Sequence, residues 1–282
     1  MPELPEVESI RLFLKPKIVG KTIEEIIIFE KKQFIGDPKK IINKKIVDLQ
    51  RKGKVMSFKF SDQLYLNSHL KLTGQLLFSK QFDRSLFKNK IPFTHVYKMP
   101  GKTTRITIKF NDGAALFFND LRKFGWLKIS QKPEVPNSLD ILDKNFSFEY
   151  FKKALLSSKR PIKVLLLDQN KMAGIGNIYA NDSLFMAKIH PLRKSNSLKE
   201  KEMKTLYQAI IKIINEGIKN KGSSGADGAF ILPDGSRGGQ QNFFKVYQRE
   251  NELCLRCQTP IKRIKHGGRS SFFCPNCQKY KR

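Results

Sequence analysis

The chain has 282 residues, enough for two or three domains with a sizeable core. Lys and Arg number 54 against 25 Asp and Glu, a net charge of +29, which points to a polyanion: nucleic acid first, an anionic membrane second. No segment approaches the ~20 consecutive apolar residues of a membrane span, and no basic region leads into an apolar run at the N-terminus, so a cytosolic location is expected.

Taken in chain order, residues 5–14 read as a helix. Pro5 suits a first-turn position, and Leu4, Val7, Ile10 and Leu14 return at helical spacing. Glu3, Glu6 and Glu8 complement a helix N-terminus, which by itself accounts for acids at the start of a basic chain. Short β-like runs follow at 22–31, 55–60, 63–72, 105–110 and 115–120, with Asn111-Asp112-Gly113 as a hairpin turn between the last two. Residues 1–130 therefore read as a β-rich domain, a sandwich with one flanking N-terminal helix. Residues 131–140 have the Pro and polar content of a linker. Residues 147–220 turn helical, with a glycine turn at Ala173-Gly174-Ile175-Gly176-Asn177. Residues 222–240 are Gly- and Ser-rich and are expected to form a mobile loop.

All four cysteines lie near the C-terminus, as Cys254-x2-Cys257-x16-Cys274-x2-Cys277. In a reducing compartment this spacing is that of a four-thiolate zinc site. Such a site is closed, so one structural Zn2+ is expected rather than a catalytic one. The segment between the pairs is hairpin-like and carries Lys262, Arg263, Lys265, His266 and Arg269, cations suited to a phosphate backbone.

Pro2 carries a second possibility. Freed by loss of Met1, it would be a secondary amine with a pKa nearer an α-amine, about 8, than a lysine. Attack of such an amine on an anomeric carbon gives an iminium, an electron sink for elimination, and the adjacent Glu3 could protonate the ring oxygen.

The motifs decide between these readings. PELPEVE with Arg11, His69-Leu70-x-x-x-Gly74, Asp120-x-Arg122-x-Phe124-Gly125, GIGNIYANDSLF at 174–185 followed by Ile189-His190-Pro191, and Val246-Tyr247 ahead of the cysteines stand in one order along the chain. In that order they resemble the bacterial formamidopyrimidine-DNA glycosylases, the 8-oxoguanine DNA glycosylase/AP lyase family. The resemblance implies a multidomain α+β fold: a catalytic β-sandwich domain at 1–130, a helix–two-turn–helix DNA-binding domain at 140–222, a lesion-capping loop and connector at 223–244, and a zinc finger at 245–282. It implies a bifunctional DNA glycosylase and AP lyase of base excision repair that removes oxidised purines and nicks DNA by β,δ-elimination. By resemblance Pro2 forms the Schiff base, Glu3 is the general acid, Lys54 assists β-elimination, and Arg269 grips phosphate and assists δ-elimination. Leu72, Arg122 and Phe124 match the side chains that fill the gap left by an extruded base. Asn177, Lys159, Lys163, Tyr247 and His69 match phosphate partners, and Glu6 is counted with the DNA-binding set. The implied partner is double-stranded damaged DNA, with no membrane partner, bound by a monomer that is cytoplasmic and associated with the bacterial nucleoid.

The match departs from the family pattern in places. Leu72 stands where the family often has Met, Leu121 replaces a Pro, and Lys123 replaces an Arg. A family Lys-His-x-His becomes Lys102-Thr103-Thr104-Arg105, so Arg105 is expected to take over a phosphate contact. A family Arg is missing from Ser223-Ser224-Gly225-Ala226-Asp227. The nearest rivals are the endonuclease VIII type, which favours oxidised pyrimidines, and a catalytically dead DNA-binding protein. Leu4-Pro5 after Glu3 favours the purine branch.

Overall fold

A computed structural model of the chain describes residues 2–225 and 229–280. Met1, and residues 226–228, where part of the expected loop motif falls, lie outside the described residues. The chain divides into two compact units, Met1–Val135 with Ile218–Gln241, and Pro136–Gly217 with Asn242–Arg282.

In the first unit, helix α1 (Leu4–Ile18) is longer than expected, running past Pro16 because Ile18 continues the buried series of Leu14, Ile10 and Val7. The strands are β1 (Ile23–Ile28), β2 (Phe34–Ile35), β3 (Ile46–Lys52), β4 (Val55–Phe60), β5 (Tyr65–His69), β6 (Gly74–Ser79), β7 (Thr104–Phe110), β8 (Ala115–Asp120) and β9 (Trp126–Ser130). They form two sheets, β1-β7-β8-β6 and β2-β9-β5-β4-β3, antiparallel except for the short β2–β9 pair. One apolar cluster takes residues from α1 and from both sheets, as the expected sandwich requires. The Asn111-Asp112-Gly113 turn joins β7 to β8 as read from sequence, with Gly113 in the left-handed region at φ +82.

β6 was not among the β-like runs read from the sequence; like β8 it is buried on both faces and does not alternate. Leu76 and Phe78, with Leu116 and Phe118 of β8, enter the main cluster. Leu77, Ala115 and Phe117 enter a second cluster with Phe87, Ile91 and Ile231. This arrangement also corrects the expectation for 222–240. In its described residues that segment is packed rather than loose: Phe230 and Leu232 join the main cluster, Ala229 O accepts from Gln75 Nε2 at 2.9 Å, and Pro233 O accepts from Phe78 N at 2.7 Å.

The second unit holds α2 (Phe148–Leu156), α3 (Ile162–Leu166), α4 (Asn177–Met186), most of α5 (Glu200–Lys219) and the hairpin β10 (Lys262–His266)–β11 (Arg269–Phe273). Ser147 caps α2 by accepting from Tyr150 N at 3.2 Å. α5 buries Met203, Leu206, Ile210, Ile213 and Ile214 at helical spacing. The finger shares one apolar cluster with α4, comprising Phe185, Val246, Cys254, Ile261, Phe272 and Cys274. Among the described residues no helix is long and apolar enough to cross a membrane.

Candidate active site and metal centre

Pro2 and Glu3 are buried at the head of α1. Glu6, one turn on, closes a capping box: its Oε2 accepts from Glu3 N at 2.9 Å. Its Oε1 accepts from Ser223 N at 2.8 Å. Gly222 lies so close that an added Cβ would sit 2.8 Å from Glu6 Cγ, and its φ of +74 also favours glycine. Glu6 was expected to contact DNA. The structure places it elsewhere, buried, holding the Glu3 backbone and the start of the 222–240 segment.

Glu8 connects the same helix to the turn that carries Lys54. Its carboxylate accepts from Arg11 at 2.5 Å and from Arg51 Nε at 2.7 Å. Arg51 Nη1 in turn donates to Gly53 O at 2.8 Å, and Gly53, at φ +57, makes the β3–β4 turn in which Lys54 sits nearly buried. Burial opposes ionisation of Glu8, but Arg11 and Arg51 outweigh it and hold the carboxyl below its ordinary range. Sequence reading named neither Glu8 nor Arg51 as a site residue. The only local signal was Arg51 standing just ahead of the Gly53-Lys54 turn.

Around the β8–β9 connection the structure gathers Leu72, Arg105, Arg122 and Phe124. Phe124 is 52 % exposed, so it is not a core aromatic, and the Arg122 guanidinium lies 4.8 Å from its ring centroid. Leu72 is half-buried. Arg105 donates through Nε to Asp120 O at 2.8 Å, so part of its guanidinium is committed to the fold.

His69 pairs with Val55 across β4–β5 and its ring lies 5.9 Å from that of Trp126. Its Nδ1 accepts from Lys71 N at 3.0 Å. Burial, then Lys71 and Lys54, push its pKa down to about 4, so at neutral pH it can meet a phosphate only as a neutral imidazole donor, not as a cation. An unfolded His titrates near 6.5, so between there and the folded value the unfolded chain binds the extra proton and stability falls as pH falls. Urea denaturation should show this loss as pH drops from about 6.5 to 5, with His69→Gln removing on the order of 2 kcal/mol of it. An unchanged pH slope in that variant would remove His69 as its source.

In the second unit, Asn177 is the first residue of α4, after a glycine turn in which Gly174 has φ +112. Two adjacent residues of α4, Asn181 and Asp182, then organise the finger. Buried Asp182 accepts from the backbone N–H groups of Lys245, Val246 and Tyr247 at 3.0, 3.0 and 3.1 Å, which fixes Tyr247. Burial still pushes its carboxyl up to about 6 against those donors. Asn181 Oδ1 accepts from Phe272 N at 2.8 Å. Lys163, expected at phosphate, is buried: its ammonium donates to Ser270 O at 2.5 Å and Ser271 Oγ at 2.9 Å, pinning β11 to α3. Arg269 is exposed at the end of the hairpin opposite His266, beyond the Gly267-Gly268 turn, where both φ values are positive. Lys159 is exposed in the segment before α3.

The four thiols converge. All four Sγ atoms lie within 4.8 Å of one another, with Cys254–Cys277 at 3.9 Å and Cys257–Cys274 at 3.4 Å. Sulfurs at tetrahedral corners ~2.3 Å from a zinc ion stand about 3.8 Å apart, so the cluster fits one Zn2+ in a closed, structural site. Hydrogen bonding with Thr259 brings the Cys257 thiol down to about 5, whereas burial and the neighbouring thiols push Cys277 up to about 12. A dication among them removes that repulsion.

The chain is similar to known proteins along its whole length. Family models match in order: the formamidopyrimidine-DNA glycosylase N-terminal domain at 1–127, the H2TH domain of those enzymes at 138–227, and the zinc finger found in FPG and IleRS at 251–279. The formamidopyrimidine-DNA glycosylase of Desulforamulus reducens is 38% identical over 100% of both chains, and that of Lactobacillus johnsonii 35% over 99% of both. Among solved structures, the Thermus thermophilus enzyme superposes with a TM-score of 0.86 at 32% identity over 100% of both chains. The Lactococcus lactis enzyme, in complex with DNA containing an abasic site, gives 0.85 at 31% over 99% of this chain and 100% of that one. This chain belongs to the bacterial formamidopyrimidine-DNA glycosylase family.

Proposed function

We propose that the protein is a bifunctional DNA glycosylase and AP lyase of base excision repair that removes 8-oxoguanine and formamidopyrimidines from double-stranded DNA. Relatives give the substrate class: the Lactococcus lactis enzyme has been solved with Fapy-dG-containing DNA, at 30% identity and a TM-score of 0.82. The observation that carries the reading is the brace at the head of α1. Glu6 fixes the backbone of Glu3, and Glu8 and Arg51 tie the same helix to the Lys54 turn. A nucleophile, an acid and a lysine are thereby held on one rigid frame.

In this reading the Pro2 amine attacks C1′ while Glu3 protonates the ring oxygen, and the damaged base leaves as the iminium forms. The iminium then draws electrons from the C2′–H bond, whose proton passes to solvent, and the 3′ phosphate departs, a β-elimination that Lys54 assists. Arg269 engages the phosphate of the second elimination. Arg122, Phe124 and Leu72 occupy the vacated stack, and Asn177, Tyr247, Lys159 and Arg105 contact the phosphate backbone. The functional extents are 1–130 for catalysis, 140–222 for helix–two-turn–helix binding, 223–244 for the lesion cap and 245–282 for the finger. The enzyme works in the cytoplasm as a monomer, without a membrane partner.

Borohydride trapping tests this reading. A lesion-bearing duplex should yield a covalent adduct, more of it with oxidised purines than with oxidised pyrimidines. Absence of any adduct would refute the amine chemistry, and the reverse ranking would move the enzyme to the endonuclease VIII type.

Phe124→Ala separates extrusion from chemistry. Excision from intact duplex should slow by about 10-fold or more, since an unfilled stack costs a few kcal/mol. Processing of a preformed abasic site should change little. The melting temperature should barely move, because the ring is 52 % exposed. Equal losses on both substrates with a large drop in melting temperature would make Phe124 a structural residue.

A further inference from the structure

The wedge side chains pose a physical problem. Arg122 and Phe124 are exposed, so packing does not fix where they point, and Lys123 between them has φ +57, a left-handed backbone that a side chain rarely adopts. The backbone must be held by something else. Asp120, at the end of β8 and fully buried, supplies it. Its Oδ1 accepts from the Thr73 hydroxyl and from Arg122 N, the latter at 3.2 Å. Its Oδ2 accepts from Gly125 N at 2.7 Å and from Gln33 Nε2 at 2.9 Å.

The second partners close the network. Thr73 Oγ1 also accepts from Arg122 N at 3.0 Å, and Gln33 Nε2 also donates to Gly125 O at 2.8 Å. Thr73 follows Leu72 directly, so one carboxylate ties the turn carrying Leu72 to both ends of the segment carrying Arg122 and Phe124. Two glycines make the approach possible. An added Cβ at Gly125 would lie 2.8 Å from Phe118 Cζ and 3.0 Å from His69 O, and one at Gly74 would lie 2.4 Å from Leu70 O. Lys123 is held from outside by an ion pair to Glu30 at 2.6 Å.

We infer that Asp120, with Thr73 and Gln33, is a positioning hub that locks the Leu72 turn and the 121–125 segment into one preorganised wedge for base extrusion. The inference rests on the wedge role proposed above. Because the hub acts on extrusion, its loss should slow turning out the base and spare a site with no base to turn out.

The test compares Thr73→Val, which keeps shape and removes the hydroxyl, with Thr73→Ser, which keeps the hydroxyl. Single-turnover excision from an 8-oxoguanine duplex and nicking of a preformed abasic duplex are measured on each protein. Thr73→Val should slow the first by about 10-fold and the second by no more than about 2-fold, and Thr73→Ser should restore the first to within about 2-fold of the wild type. Asp120→Asn, which cannot accept at all four positions, should show the same split more strongly. If that variant does not fold, the Thr73 pair decides. Equal slowing on both substrates, no slowing on either, or failure of serine to restore the rate would overturn the hub. Borohydride trapping of the wild type on the abasic duplex separates the two failures: an adduct with no split sinks the hub alone, and no adduct sinks it together with the proposed reaction.

Discussion

Replacing Pro2 by glycine, in protein shown by mass spectrometry to have lost Met1, is expected to remove most base excision while leaving folding and DNA binding intact. The change alters one terminal amine and no core residue. Proline's amine, near an α-amine pKa of about 8, is about one-tenth unprotonated at neutral pH, far more than a lysine. On reaction it gives an iminium with no N–H to lose, so the positive charge that drives elimination persists. Glycine retains a primary amine, whose imine must be protonated to do the same work, so residual activity is allowed. A loss on the order of 1000-fold in single-turnover excision, about 4 kcal/mol of barrier, is the expected scale. Glu3→Gln should share this defect, since a positioned acid is worth roughly 100-fold or more. Full excision by protein that retains Met1, in which the Pro2 nitrogen is an amide, would end the mechanism.

Loss of the metal should have the second largest effect, and it should spread beyond the finger. Closed zinc sites in small peptides supply about 10–16 kcal/mol of folding free energy. Here Cys254 and Cys274 lie in the same apolar cluster as Phe185 of α4, Val246 and Phe272. Arg256 also donates to Phe185 O at 2.7 Å and Met186 O at 3.1 Å, and Gln278 Nε2 to Ile189 O at 2.8 Å. Cys274→Ser, or chelation, should therefore release the hairpin bearing Arg269 and loosen the attachment of Tyr247 to Asp182. DNA affinity should fall by about 100-fold or more, because several phosphate contacts go together. Hydrogen exchange should rise across 245–280 while β4, β5 and β8 stay protected by their own core. Metal analysis should return one zinc per chain, and active protein without zinc would refute the site.

The features legible in the sequence are those whose physics is local. Two Cys-x2-Cys pairs define a metal site because the ligand spacing within each knuckle is set by a single turn of chain. Asn111-Asp112-Gly113 fixes a hairpin because its φ requirement sits in one residue. The 3.6-residue recurrence of Leu4, Val7, Ile10 and Leu14 reports one buried helix face. The motif around Asp120 marked the wedge residues through family resemblance, though not the reason for the aspartate.

Only the tertiary structure decided what distant partners do to a side chain. Glu6 reads as a helix-start acid, yet one of its oxygens is taken by a backbone N–H 217 residues away. Lys163 reads as a phosphate cation, yet its ammonium is spent on β11, more than 100 residues downstream. β6 and β8 are both buried on two faces and show no alternation, so neither strand's two packing partners could be read from periodicity. The 222–240 segment read as mobile because Gly and Ser dominate it, while Phe230-Ile231-Leu232 inside it are buried against the sandwich. A charged or polar group's role depends on whether the fold desolvates it and what the fold places within hydrogen-bond reach. Composition and spacing determine which chemistry is available, and long-range packing decides which of those groups is left to meet the DNA.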